Sequence, residues 1–308
     1  MSTPRVLITG ASIAGPTLAH WLHRYGWQPV VLERAPALRT GGQNIDVRGA
    51  GREVTRRMSL EDDIRAASTG ERGTRFIDSS GASIARFPAG TSDSAGASAE
   101  LEILRGDLAR LLVDRTIDYV EYRFGDQVTG LVDSTDGVSV SFAHAPDERF
   151  DLVIAADGIG SSTRALVFGD EVEITSLGME TAWATITRTD ADDDWWRWYS
   201  APGGRTINLR PDAVGTIRAS LSYPSDRAKG GTAEQRTPDQ QRAMLHELFD
   251  DAGWEAARVL DGFDHADDLY CQVLGQVHAP RWSQGRVALV GDAAYCASPV
   301  SGMGTSLA

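Results

Sequence analysis

The sequence predicts an α/β protein in which a discontinuous domain built on a parallel sheet is interrupted by a β-rich insertion. Three observations carry that expectation. The chain opens with a strand, a glycine turn, a helix and a second strand: Arg5-Val6-Leu7-Ile8-Thr9, then Gly10 to Gly15, then an apolar-periodic stretch through Leu18, Trp21 and Leu22, then Pro29-Val30-Val31-Leu32-Glu33. A helix-period stretch between two short apolar runs is the pattern of a βαβ unit with parallel strands. Short apolar runs ending in turn residues recur at 151–156, before Asp157-Gly158, and at 286–290, before Gly291-Asp292. Between Glu171 and about Leu269 the composition shifts to strand-like runs at 181–187, 195–199, 206–209 and 215–222, followed by a helical region over 238–260.

The remaining elements follow in order. Residues 51–67 read as helical, with Val54, Met58 and Leu60 apolar among charges. Residues 75–78 and 83–87 read as two strands joined by a Ser-Ser-Gly turn, and 91–98 as a loop of Ser, Gly, Ala and Asp. An amphipathic helix is expected over 105–113, and short alternating strands over 119–142 around turns such as Asp136-Gly137. This gives a Rossmann-like domain made of 1–72, 98–170 and 271–308, and an insertion made of 73–97 and 171–270.

The 308 residues contain 30 Lys+Arg against 43 Asp+Glu, a formal net charge of −13. An acidic balance disfavours nucleic acid and anionic membrane surfaces as partners, since both need excess positive charge. Hydrophobic residues make up 42% and charged residues 24%, enough apolar content to bury a core. Two cysteines, Cys271 and Cys296, are too few for a disulfide framework. No secretory h-region opens the chain and no apolar run is long enough to span a bilayer, so the expected location is the cytoplasm with no membrane partner. Lys229 is the only lysine, which leaves no lysine for catalysis elsewhere.

Gly10, Ser12 and Gly15 stand where G-x-G-x-x-G would stand, after a strand and opening a helix, with serine in the middle position. Glycines there permit a tight turn and close approach to a pyrophosphate, whose charge the helix N-terminus then holds. Glu33 closes the next strand near the roughly 20-residue spacing of a carboxylate that accepts from a ribose 2′-OH. Such a carboxylate disfavours a 2′-phosphate, so FAD or NAD suits this pocket better than NADP. A tight turn without ligand is the bland alternative. A short-chain dehydrogenase is excluded twice: Ala14 and Pro16 occupy its further glycine positions, and no Tyr-x-x-x-Lys pair exists. His20 and His23 lack a carboxylate or cysteine to complete a metal site.

Further motifs follow: Leu104-Arg105-Gly106-Asp107-Leu108, Asp157-Gly158-Ile159-Gly160-Ser161-Ser162-Thr163-Arg164, and Gly291-Asp292-Ala293-Ala294 with Pro299, Gly302, Met303 and Gly304. With the first loop and Glu33, these make the chain resemble the single-component FAD-dependent aromatic-ring hydroxylases of the para-hydroxybenzoate hydroxylase-like fold, closest to their tetracycline-inactivating and antibiotic-tailoring branch. The resemblance runs from Val6 to the last residue. It implies an FAD site made of Gly10, Ser12, Ile13, Ala14, Gly15, Glu33, Arg34, Arg105, Asp157, Gly158, Arg164, Gly291, Asp292, Pro299, Gly302, Met303 and Gly304, with Gln43 and Asp46 on a loop beside the flavin. Arg34, Arg105 and Arg164 are expected to compensate pyrophosphate charge locally, and Asp292 to bind the ribityl chain, its alternative being a helix N-cap.

The resemblance also implies NADPH or NADH as reductant, O2 as co-substrate, and oxygen transfer through a flavin C4a-hydroperoxide to an aromatic or enolic small molecule. The flavin then carries the chemistry and no protein side chain is a catalytic nucleophile. The insertion becomes the substrate-binding domain, with Trp183, Trp196, Trp198, Asn208 and Arg210 as candidate substrate residues. On a strand Trp196 and Trp198 share one face and Trp195 and Tyr199 the other, and the pattern leaves open which face is core. Family members continue into C-terminal helices that this chain is expected to lack. Two other readings stay open: a reductase or dehydrogenase of the same fold without oxygen transfer, and a truncated remnant that binds ligand without catalysis.

Overall fold

Apolar runs without polar alternation need cover on both faces, and the computed structural model supplies it for the first of two compact units. The structure describes residues 3–39, 41–90, 100–225 and 236–307. The sequence-predicted loop at 91–98 and Lys229 lie outside them. The first unit comprises residues 1–40, 106–175 and 275–308, and the second residues 41–105 and 176–274.

In the first unit, Arg5–Thr9, Gln28–Glu33 and Leu152–Ala155 pair in parallel, with Val287–Leu289 and Glu121–Phe124 parallel at the flanks and Ser283–Gln284 antiparallel at one edge. Leu7, Val30, Leu32 and Val153 point to one face and pack against Val138, Val140 and Phe150 of an antiparallel three-stranded sheet. Val6, Ile8, Val31 and Ile154 point to the other and pack with Ala19 and Leu22 of the helix Ala14–Arg24. Doubly covered strands of this kind read as continuous hydrophobic runs, which is why the sequence shows them plainly.

The second unit holds a mostly antiparallel sheet in the order Tyr270–His278, Ile174–Thr187, Thr216–Pro224, Arg205–Pro211, Trp196–Ala201, Gly73–Ile77, Ser83–Pro88. Its burial alternates: Ile217, Ala219, Leu221 and Tyr223 are buried while the residues between them are half-buried. The buried face packs under the helices Pro238–Phe249 and Ala256–His265 through Leu245, Phe249, Val259, Leu260 and Phe263. The first of these helices starts where Thr237 and Gln240 satisfy each other's backbone amides, with Pro238 at the first helical position, where its missing N–H costs nothing.

Two differences from the sequence reading concern this unit. Residues 171–175, assigned to the insertion, group with the first unit, and residues 271–274, 41–72 and 100–105, assigned to the nucleotide-binding part, group with the second. For 41–72 and 100–105 the cause is a short antiparallel pair, Asn44–Asp46 with Glu102–Leu104, tied by Arg210 to Asn44, Glu71 and Glu102. The strand Tyr270–His278 was not expected; its apolar residues follow neither a clean period of two nor a continuous run. Among the described residues no helix is long and apolar enough to cross a membrane.

Phe249 is fully buried in the sheet–helix core of the second unit. Phe249→Ala should therefore lower stability by about 3–5 kcal/mol, read as an earlier urea midpoint with an unchanged slope.

Candidate functional site

The parallel register places the ends of four strands along one edge of the first unit's sheet. Thr9 stands opposite Leu32 and Ala155, and Ala155 opposite Leu289, so the turns after Thr9, Ala155 and Leu289 and the carboxylate of Glu33 all lie at the carboxyl edge. Ligands of open α/β sheets bind at that edge. The motif loops Gly10 to Gly15, Asp157 to Arg164 and Gly291 onward are therefore neighbours in space.

The first loop is held by backbone proximity. Gly10 has φ +99°, and a Cβ there would lie 2.4 Å from the Ala156 carbonyl oxygen. A Cβ on Gly15 would lie 1.9 Å from the Gly10 carbonyl oxygen, so neither position admits a side chain. Ile13 is the N-cap of the following helix and its side chain accepts no bond from the first-turn amides. Those amides remain donors at the positive end of the helix dipole, Pro16 excepted. Ser12 and Ile13 are half-buried at the turn, and Ala14 and Gly15 buried behind it. Glu33 accepts from the backbone N–H of Ala11 at 3.0 Å and of Ala35 at 2.9 Å, each oxygen taking one bond. The carboxylate thus fixes the loop and keeps a lone pair on each oxygen for another donor. Arg34, next along, is exposed.

Around the second loop, Asp157 accepts from the Ser161 hydroxyl, from the Thr163 hydroxyl at 3.1 Å and from the Thr163 N–H at 3.3 Å, while Gly158 takes φ +83°. Thr163 also reaches the Thr9 hydroxyl at 3.2 Å, joining two strand ends. Arg164 departs from its expected role. It is 6% exposed and donates to the carbonyls of Ile159 at 2.7 Å and Ala293 at 3.1 Å. Burial lowers its pKa, and its charge serves to tie two loops together rather than to face a phosphate from solvent.

In the third loop Gly291 takes φ +59° and Asp292 falls in a single 3₁₀ turn, Gly291–Ala293. Burial and the neighbouring Asp292 carboxylate push the Cys296 thiol up to about 11. Pro299–Ser301 forms another 3₁₀ turn, Gly302 has φ +65°, half-exposed Met303 follows, and Gly304–Leu307 begins a helix.

In the second unit, Gln43 accepts from the Tyr270 hydroxyl at 2.9 Å, and its carbonyl accepts from the Arg105 N–H at 3.0 Å. Asp46 pairs with Arg48 at 2.9 Å. Gly42 leaves room for Arg105, whose Nε a Cβ would meet at 2.9 Å. Gly42, Gln43 and Tyr270 border a small solvent-open cleft, lined also by Trp183, Thr185, Arg218 and Asp268.

The face question is answered by register. Tyr199 is core, so Trp196 and Trp198 lie on the opposite face, away from the helices. Strand pairing sets Trp183, Ser220, Asn208 and Trp198 in one row across that face. Thr185, Arg218 and Arg210 form the next row on one side, and Thr181, Ser222, Thr206 and Ser200 the row on the other. All five predicted substrate residues thus share one half-buried sheet face.

Arg210 is not a free anchor there. Its guanidinium bonds Glu71 at 2.6 Å and the Asn44 carbonyl at 3.3 Å, pairs with Glu102 at 2.5 Å, and lies over the Trp196 ring at 4.3 Å. Burial raises Glu102 to about 7 against the pull of Arg210. Sequence reasoning missed Ser220, Arg218, Asp268 and Tyr270. The first two alternate with core residues on a strand it had found, which is the signal that could have exposed them; Tyr270 lies on the strand it had not.

Residues 3–308 match the family described as FAD binding domain. An uncharacterized protein of Mycobacterium tuberculosis (strain CDC 1551 / Oshkosh) is 38% identical over 305 residues, 98% of this chain and 81% of that protein. The FAD-dependent monooxygenase asL4 of Sarocladium schorii is 35% identical over 310 residues, 98% of this chain and 72% of that protein. Among solved structures, tetracycline destructase Tet(51) superposes with a TM-score of 0.85 at 31% identity, over 99% of this chain and 79% of that one. The chain belongs to the FAD-binding-domain family of flavin-dependent monooxygenases, which are oxidoreductases.

Proposed function

We propose that this protein uses NAD(P)H and O2 to hydroxylate an aromatic or polyketide-like small molecule, with FAD bound at the carboxyl edge of the parallel sheet. The observation that supports this reading is the meeting of three glycine-rich motif loops at the ends of adjacent parallel strands. The donor set fits a dinucleotide. A pyrophosphate needs backbone amides that nothing else caps, and the first turn of Ala14–Arg24 offers them behind a turn too tight for side chains. At Gly158, Gly160, Gly302 and Gly304 no atom lies within 4 Å of where a Cβ would be, so open space borders the backbone there. When bound there, FAD would supply the redox chemistry, hydride acceptance from NAD(P)H and activation of O2, with one oxygen atom going to the substrate and the other to water.

This chain's own residues bind and orient. The amides of Ser12 to Gly15, including Ile13 and Ala14, hold the pyrophosphate, and the free lone pairs of Glu33 accept from a ribose hydroxyl. Asp292 accepts from the ribityl chain, and the backbone around Pro299, Gly302, Met303 and Gly304 approaches the flavin ring. Asp157, Gly158 and Arg164 position these loops. Trp183, Trp196, Trp198 and Asn208 face the aromatic substrate, while Arg210 holds Trp196 in place from its buried ion cluster.

Reconstitution with FAD should give a retained flavin absorption band, and a panel of phenolic and polyketide compounds should stimulate NADPH or NADH oxidation with product masses of substrate plus one oxygen. Loss of two hydrogens instead would indicate a dehydrogenase, and absence of the band would remove the catalytic reading. Asp292→Asn should weaken FAD retention by roughly tenfold, about 1.4 kcal/mol, in equilibrium dialysis. The same change removes a negative charge beside Cys296. In a Cys271→Ser background the alkylation rate of Cys296, which follows its thiolate fraction, should rise with an inflection near pH 11. Asp292→Asn should move that inflection to lower pH.

A further inference from the structure

We propose that Ser220 and Asn208 set the ring count and charge of the substrate, selecting neutral planar compounds of two or three fused rings that carry a hydroxyl or N–H donor. The inference rests on the reading of this sheet face as the substrate surface. In the row Trp183, Ser220, Asn208, Trp198, an indole stands at each end and the two smallest side chains lie between. Three strand spacings of about 4.8 Å put the backbones of the two tryptophans about 14 Å apart, the span of two to three fused rings once the indoles take their share.

Each indole packs on aromatic rings outside the middle of the row, Trp198 also on Trp196 of its own strand at 5.1 Å. Trp183 stacks on Tyr270 with ring centroids 5.0 Å apart and planes at 17°, and Trp198 lies 5.9 Å from Phe76 at 31°. Each partner sits on the strand beyond its tryptophan, so the floor between them is left to Ser220 and Asn208. Asn208 is 6% exposed and its Nδ2 lies 3.5 Å from the Thr206 hydroxyl, while its Oδ1 has no partner among the described residues. A buried amide oxygen without a donor is costly, and a substrate hydroxyl or N–H laid along the row supplies one.

Charge narrows the class further. The two arginines of the neighbouring row are each held between two carboxylates: Arg218 by Asp212 at 3.1 Å and Asp268 at 3.6 Å, Arg210 by Glu71 and Glu102. A carboxylate-bearing substrate finds no uncompensated cation in that row, so neutral donors bind better than anions.

The test is equilibrium dialysis of the FAD-reconstituted protein against phenol, 2-naphthol, 2-naphthoate, naphthalene and 2-hydroxyanthraquinone. The wild-type protein should bind 2-naphthol more tightly than both 2-naphthoate and naphthalene. Ser220→Phe should weaken 2-hydroxyanthraquinone by about tenfold or more while phenol changes by less than about twofold, because the added ring fills the floor and not the ends. Ser220→Val should act in the same direction with a smaller effect, which covers the case of a poorly folded phenylalanine variant. Asn208→Leu should erase the preference for 2-naphthol over naphthalene. Equal weakening of every probe by both Ser220 variants, or tighter wild-type binding of 2-naphthoate, would overturn the proposal. FAD uptake is read separately from its absorption band and the dialysis is repeated without flavin, so failure of the cofactor reading and failure of the floor reading are told apart.

Discussion

Backbone polar groups in turns too tight for side chains must still find partners, and the first unit is organised around that requirement. Gly10 and Gly15 press backbone against backbone, which brings the strand ends close but leaves carbonyls and amides exposed to one another's fields. The charged residues nearest the motif loops answer this need first. Glu33 accepts two amides, Asp157 accepts from its own loop, and Arg164 donates to the carbonyls of two loops. In a chain carrying a net charge of −13, the charges of Glu33, Asp157 and Arg164 are thus taken up in fixing the backbone of the motif loops.

The same logic governs the second unit. Its buried ion cluster of Arg210, Glu71 and Glu102 fastens the short strand pair Asn44–Asp46 and Glu102–Leu104 to the large sheet. This shifts residues 41–72 and 100–105 into that unit. Breaking one partner of such a cluster leaves an uncompensated buried charge, so the cluster specifies where the strand pair docks more than it adds stability.

How much of this was legible in the sequence depended on whether the signal was local. Glycine spacing, the acidic residue after the second strand and the continuous apolar runs are local consequences of tight turns and doubly covered strands, and they led to the architecture and to a dinucleotide, which the family resemblance narrowed to FAD. The fate of an arginine is non-local. Nothing adjacent to Arg164 shows that Ala293 will accept its proton donors, and nothing near Arg210 in the chain shows Glu71, 139 positions away. Both read as available cations and both are committed. The core face of the Trp196–Ala201 strand was likewise undecidable, because aromatic residues occupy both phases of its alternation; only the helices packed on Tyr199 break the tie.

That alternation has a consequence for how this protein changes over time. Ser220 lies between Ala219 and Leu221, and Trp198 between Arg197 and Tyr199, so the proposed substrate face and the packed face occupy opposite phases of the same strands. A substitution at Ser220 does not remove an apolar side chain from the packed phase. Tolerance on this face is therefore uneven: Ser220 is half-buried and holds no ion pair, whereas Arg210 is fixed by Glu71 and Glu102 and cannot change without leaving buried charge unpaired.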